Sequence, residues 1–220
     1  MIDKELLDKP AQKPFEFLSS YYIPKYTNIK AYDVNQLIEG IKKVDKLSIF
    51  YHVFHQLFIN YTVPGELHND FALWVKEELH DIELSKKLSK LDGREPKNIE
   101  NIRNDIIKIL EENKIDEKAS KPFIFISCTP FIFKNDKIAK DLGELIDNIS
   151  VISINSIIYH FIFRRLMGET TKNDFSLWIE ENYGLRTLSD SLSSIDPIIY
   201  DDGEKLRQEI IKRIEELIFS

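Results

Sequence analysis

Lys13-Pro14-Phe15-Glu16-Phe17 returns as Lys121-Pro122-Phe123-Ile124-Phe125, 108 residues later (123 − 15). Working outward, Ser48-Ile49-Phe50-Tyr51-His52 returns as Ser156-Ile157-Ile158-Tyr159-His160 at the same spacing (160 − 52). Asn69-Asp70-Phe71-Ala72-Leu73-Trp74-Val75 returns as Asn173-Asp174-Phe175-Ser176-Leu177-Trp178-Ile179, only 104 residues later (174 − 70). The second copy therefore lacks four residues between its His and Asn-Asp motifs. The chain is an internal duplication with a tail over residues 1–12, unit 1 over 13–112, a charged linker over 113–120 and unit 2 over 121–220. Each unit is long enough to bury a core.

Each element is readable twice. Phe15 and Phe17, like Phe123 and Phe125, alternate in short aromatic segments, and Lys134-Asn135-Asp136 supplies turn residues, so one or two short strands are expected per unit. Val34, Leu37, Ile38 and Ile41 have helical spacing, as do Leu142, Leu145, Ile146 and Ile149. A second helix carries the Ser-x-x-x-His motif on a wide apolar stripe. A third starts at Asn69 or Asn173, since an Asn side chain accepts the free amide protons of a first helical turn. A fourth stops at Asp92-Gly93 or Asp196-Pro197. A fifth holds Ile102, Ile106, Ile107 and Leu110, matched by Leu206, Ile210, Ile211 and Ile214. The expected fold is mainly α (α+β by strict count), with about five helices and a short β element per unit. The two units are expected to pack as a pseudo-two-fold pair.

The composition narrows function by exclusion. A net charge of −7 and pI near 5.4 argue against nucleic acid, whose phosphates demand concentrated positive charge. No apolar run has the length of a membrane span, and Met1-Ile2-Asp3-Lys4-Glu5 does not open a secretory signal, so a cytoplasmic protein is expected. Cys128 is the single cysteine; its counterpart is Ser20, and it reads as a small core residue. Scarce glycine with plentiful Ile, Lys and Glu fits a thermophilic source. No phosphate-cradling loop, nucleophile elbow or dinucleotide fingerprint occurs, and no cofactor is expected.

The candidates for chemistry are His52, Asp70, His160 and Asp174. Histidine near a carboxylate suits general acid–base work, but the same pair can equally tie two helices together, because a buried imidazole needs partners. A metal site would draw on His52, His55 and His68 beside Asp70. Unit 2 opposes that reading, since Phe163 stands where His55 does and the loop matching His68 is shortened. Trp74 and Trp178 suit core packing better than ligand stacking. Glu77-Glu78 and Glu180-Glu181 read as solvent face. The copies differ at the longer loop of unit 1, with Pro64, Gly65 and His68, and at Arg164-Arg165, and these are candidate contacts for another protein.

The Ser-Ile-x-Tyr-His and Asn-Asp-Phe-x-x-Trp motifs, with Pro14-Phe15, Pro122-Phe123 and Asp196-Pro197, resemble an uncharacterised prokaryotic family of duplicated helical proteins. Asp92-Gly93 departs from its Asp-Pro pattern. The resemblance implies no activity; the family's association with sugar-transfer and trehalose-type genes implies an accessory role in carbohydrate metabolism. The function expected is a non-enzymatic protein-binding or regulatory module. The alternative is a small-ligand-binding protein or enzyme that uses the His/Asp pairs, with or without a metal.

Overall fold

The fold is taken from a computed structural model that describes residues 4–58, 67–94, 96–113 and 116–218. A single helical turn, Lys4–Leu7, precedes strand β1, Pro10–Ala31. Five helices follow: α1 Val34–Lys43, α2 Lys46–Phe54, α3 Asp70–Glu78, α4 Ile82–Ser89 and α5 Ile99–Glu112. Strand β2, Phe123–Asp141, opens the second unit. Helix α6 is Leu142–Val151, and α7 covers residues 154–166 with a π-helical stretch at Ile158–Phe163. Then come α8 Asp174–Tyr183, α9 Arg186–Ser193 and α10 Gly203–Ile218. The protein is mainly α with one two-stranded sheet. No helix among the described residues is long and apolar enough to cross a membrane.

The caps recur with the repeat. Asp33 and Asp141 accept backbone N–H groups at the starts of α1 and α6, and Asp45 and Ser153 do so for α2 and α7. Asn69 and Asn173 cap α3 and α8. Each satisfies a donor that the first turn leaves free.

The β element differs from the short strands expected. Each unit supplies one long strand, of 22 and 19 residues, and the two pair antiparallel with each other. Lys134-Asn135-Asp136 makes no chain reversal. It lies in β2 beside a register shift, where Leu18 faces Lys134 and Glu16 faces Ile138. Pro24 and Pro130 are tolerated because both strands are edge strands, whose outward side needs no N–H.

The register carries the symmetry. From Leu18↔Lys134 to Tyr26↔Ile126 the paired numbers sum to 152, and past the register shift on each side Phe15↔Ala139 and Ala31↔Phe123 sum to 154. Adding 108 to a residue of β1 gives its repeat counterpart in β2, and this exchange maps Phe15↔Ala139 onto Phe123↔Ala31. Tyr22↔Pro130 maps onto itself (22 + 108 = 130), so the strand register is symmetric about that pair. At that point the Tyr22 ring packs on Phe50 of unit 1 and Phe163 of unit 2, with centroids 5.0 and 5.3 Å apart.

The first helix of each unit packs along its own strand, whereas the second and third close on the strand of the other. Phe123 packs on Phe71 and Trp74, while Phe15 packs on Phe175 and Trp178. Gly40 in α1 has the Phe125 ring against its Cα, and any Cβ would collide with it. The buried apolar side chains form one continuous core through both units. Cys128 is buried in it, and burial, with Asp45 nearby, pushes its thiol up to about 12.

Candidate functional site

Ser48 and His52 sit one turn apart on α2, and Ser156 and His160 have the same spacing on α7. Side chains four residues apart share a helix face, so both can grip one peptide. Ser48 Oγ donates to the carbonyl of Ile126 at 2.9 Å, and the Ile126 N–H donates to His52 Nε2 at 2.9 Å. In the other unit, Ser156 Oγ donates to the Leu18 carbonyl at 2.5 Å, and the Leu18 N–H donates to His160 Nε2 at 2.8 Å. Leu18 and Ile126 are repeat counterparts (18 + 108 = 126). Each Ser–His pair thus holds both backbone polar groups of one residue in the opposite unit's strand.

The bond to Nε2 fixes the tautomer. Nε2 accepts, so Nδ1 carries the proton and donates, from His52 to Asp70 Oδ2 at 2.8 Å and from His160 to Asp174 Oδ2 at 2.6 Å. Both imidazoles are almost wholly buried, at 3% and 2% exposure. Burial is the largest effect on each and lowers its pKa against the opposing pull of its carboxylate. Burial pushes Asp70 up, but the hydrogen bond from His52 and the nearby His55 imidazole outweigh it and leave the carboxyl below its usual value.

Ser, His and Asp are all present, yet the arrangement is not that of a nucleophilic triad. There, imidazole Nε2 takes the serine proton. Here Nε2 is occupied by a backbone N–H, and the serine proton lies on a carbonyl. Neither imidazole has a free lone pair for a metal. His55 Nδ1 comes within 3.1 Å of Asp70 Oδ2 but off the line of a hydrogen bond. His68 does not join this pair; its backbone N–H donates to Ser89 Oγ at the end of α4. Among the described residues, no group of three His, Cys, Asp or Glu side chains is placed to hold a metal ion.

The remaining candidates are distributed as follows. Arg164 donates to Asp174 Oδ2 at 2.9 Å and to Glu169. Arg165 is buried and donates to the carbonyls of Lys97 and Gly93 at 2.7 and 2.8 Å, binding the units together. Both guanidinium groups are therefore engaged within the chain. Pro64 and Gly65 lie outside the described residues.

Several paired contacts are missing from the sequence reading. Trp74 Nε1 donates to the Lys121 carbonyl and Trp178 Nε1 to the Lys13 carbonyl, another exchange between units. Glu78, read as solvent face, accepts from Lys121 N and Ser120 Oγ, and Asn182 accepts from Lys13 N in the matching place. Buried Arg103 donates to the carbonyls of Ile41 and Val44, and Arg207 to that of Ile149, tying the last helix of each unit to the end of its first. The only advance sign of these arginines is their recurrence at a spacing of 104 (207 − 103).

The outer face of the ribbon was also missed. Tyr21 and Phe131 face each other across it, at 57% and 59% exposure, and Ile23 lies beside them at 55%. Tyr21 stacks on Phe133 with centroids 5.3 Å apart. Alternation in β1 and β2 places these residues opposite the core-facing ones.

No curated protein matches the sequence. Among solved structures, OrfY from Thermoproteus tenax is similar, with 37% identity and a TM-score of 0.91 over 97% of this chain and 100% of that one. A family model described as a family of unknown function, DUF5752, matches residues 12–215. By that match over nearly its whole length, the chain belongs to the DUF5752 family.

Proposed function

We propose that this protein is a non-enzymatic binding module, cytoplasmic and regulatory or accessory in role, which docks another protein on the outer face of the β1–β2 ribbon. Carbohydrate metabolism is the process that the motif resemblance implies. The observation that carries the reading is the cluster of Tyr21, Ile23, Phe131 and Phe133 on that face. Large exposed side chains grouped in one place favour association, and aromatic residues are enriched at interface centres. Lys25 continues the face and Lys30 follows it in β1, and both are exposed. The partner that fits is a protein with an apolar patch bordered by carboxylates.

The His/Asp pairs support the same reading by being spent. A catalytic imidazole needs a nitrogen free to meet substrate, and here all four nitrogens are bonded.

The test is affinity capture from the native host with the wild type and with Tyr21→Glu/Phe131→Glu, alongside light scattering of both. A partner held by the wild type, lost by the variant and rebound by purified wild type supports the reading. Equal capture by both proteins sinks the ribbon as the docking face. A concentration-dependent dimer that the variant abolishes would identify the occupant as a second copy instead.

A further inference from the structure

The two units carry opposite charges at one equivalent place. In unit 2, Lys172 Nζ is held by Glu180 Oε2 at 2.9 Å, Asp190 Oδ1 at 2.9 Å and Ser189 Oγ at 3.1 Å. Ser189 Oγ also donates to Glu180 Oε2 at 3.0 Å. The ammonium is surrounded by its own counter-ions, and the place is closed electrostatically.

The spacing of 104 identifies the counterparts in unit 1: His68 for Lys172, Lys76 for Glu180, Ser85 for Ser189 and Lys86 for Asp190. Both acids have become lysines and the central ammonium has become an imidazole. These residues line an open cavity of about 750 Å³, floored by Leu67 and Leu91 and bordered by Lys90 and Arg94. Lys76 and Lys90 make no ion pair among the described residues, and Lys86 meets only Glu83 at 3.3 Å on the exposed side of α4. His68 Nδ1 is buried and makes no hydrogen bond. Two carboxylates share the lining. Asp92 is paired with Arg94, and Asp196 accepts the N–H groups of Gly93 and Ile198. Three lysines, Lys76, Lys86 and Lys90, therefore face the cavity, while Arg94 is spent on Asp92 and Asp196 on backbone donors.

We infer that this cavity is a binding site for a small molecule bearing a phosphate group. The phosphate would sit between Lys76 and Lys86, in the place corresponding to the Lys172 ammonium, with His68 beside it. Lysine ammonium groups and imidazole donate to phosphate oxygens, and such charge-assisted bonds are the strong ones. The cavity exceeds the needs of the ion alone and falls in the range of small-ligand pockets. The apolar floor of Leu67 and Leu91 suits the body of an ester.

Unit 2 supplies the test variant. His68→Lys/Lys76→Glu/Lys86→Asp copies a constellation that the same fold already accommodates. Calorimetric titration of the full chain at low ionic strength would use inorganic phosphate and phenyl phosphate. The expected result is saturable binding at one site per chain, weakened at least tenfold in the triple variant with its melting temperature maintained. Tighter binding of phenyl phosphate identifies an esterified ligand, and tighter binding of inorganic phosphate identifies the free ion. Absence of saturable binding of either probe at millimolar concentration overturns the inference, as does equal affinity in the variant. Should the triple variant fail to fold, Lys76→Met alone is expected to weaken binding several-fold, and unchanged affinity there overturns the inference equally. These outcomes are independent of the ribbon, which lies on other residues.

Discussion

The clamp of unit 1 holds Ile126 and the clamp of unit 2 holds Leu18 through the same pair of bonds, but the carboxylate behind each imidazole is kept differently. Asp70 has His55 beside it, whereas Asp174 has the Arg164 guanidinium. Gln56, the counterpart of Arg164, is buried with neither side-chain polar atom bonded. The backbone grip is thus fixed, while its supporting residues are free to vary. A strand N–H and C=O buried without partners would be destabilising wherever they occurred, so both copies keep Ser and His. A carboxylate needs only some donor, so His55 and Arg164 are alternative solutions.

Breaking the grip is expected to have the largest effect. His160→Ala strands the Leu18 N–H and loosens Asp174, and His52→Ala does the same to Ile126 and Asp70. Each substitution is expected to destabilise by about 3 kcal/mol, lowering the melting temperature by roughly 6–12 °C for a chain of this size. Unchanged melting in both variants would break the comparison at its root.

Acid should act on both grips at once. Each imidazole has a folded pKa below the ordinary 6.5, burial being the main cause. A group lowered in this way is neutral in the folded state, and the unfolded chain takes up the proton first. Its contribution is whole above the unfolded value of about 6.5 and is lost as pH falls from there towards the folded pKa. Asp70, also lowered, adds a second loss nearer the ordinary carboxylate range. Denaturant melts between pH 8 and pH 4 should show stability declining from about pH 6.5, with a shallower decline in His52→Gln/His160→Gln. A flat profile to pH 5 would contradict the neutral, buried assignment.

The smallest effect sharpens the comparison most. His55→Phe/Gln56→Arg gives unit 1 the residues that unit 2 has at Phe163 and Arg164. If the support is interchangeable, stability should change by less than about 1 kcal/mol. A loss of several kcal/mol, measured by urea titration, would mean that the two environments are not equivalent.

Much of this was legible in the chain. The duplication, the helices and their Asp and Asn caps follow from local pattern, because a cap bonds within its own first turn. The pairing of His52 with Asp70 was an available partnership, and burial made it a tie between α2 and α3. The exchange of strands was not legible. Phe15 and Phe123 have the same surroundings in sequence, so periodicity cannot assign either to its own helices or to the other unit's. Strand length decides the matter. At about 3.3 Å per residue, β1 extends roughly 70 Å, so Phe15 lies far from α1, which begins directly after Ala31. The charge inversion around His68 was visible letter by letter at a spacing of 104, but its convergence on one cavity depends on how α3 packs on α4.

The exchanged strands also set the order in which the chain can mature during synthesis. Helices α2 and α3 of the first half acquire the partners of His52 and Trp74 only when Lys121 to Ile126 have emerged. Unit 2 in turn waits for nothing new, because Lys13 and Leu18 are already present. The nascent first half therefore carries an unfilled slot shaped for Phe123 and Phe125, which a β1 strand from a neighbouring nascent chain can also enter. Contacts of such long sequence separation slow folding and expose apolar surface meanwhile. The covalent join between the units, which supplies the correct strand at high local concentration, is what makes the intramolecular closure win.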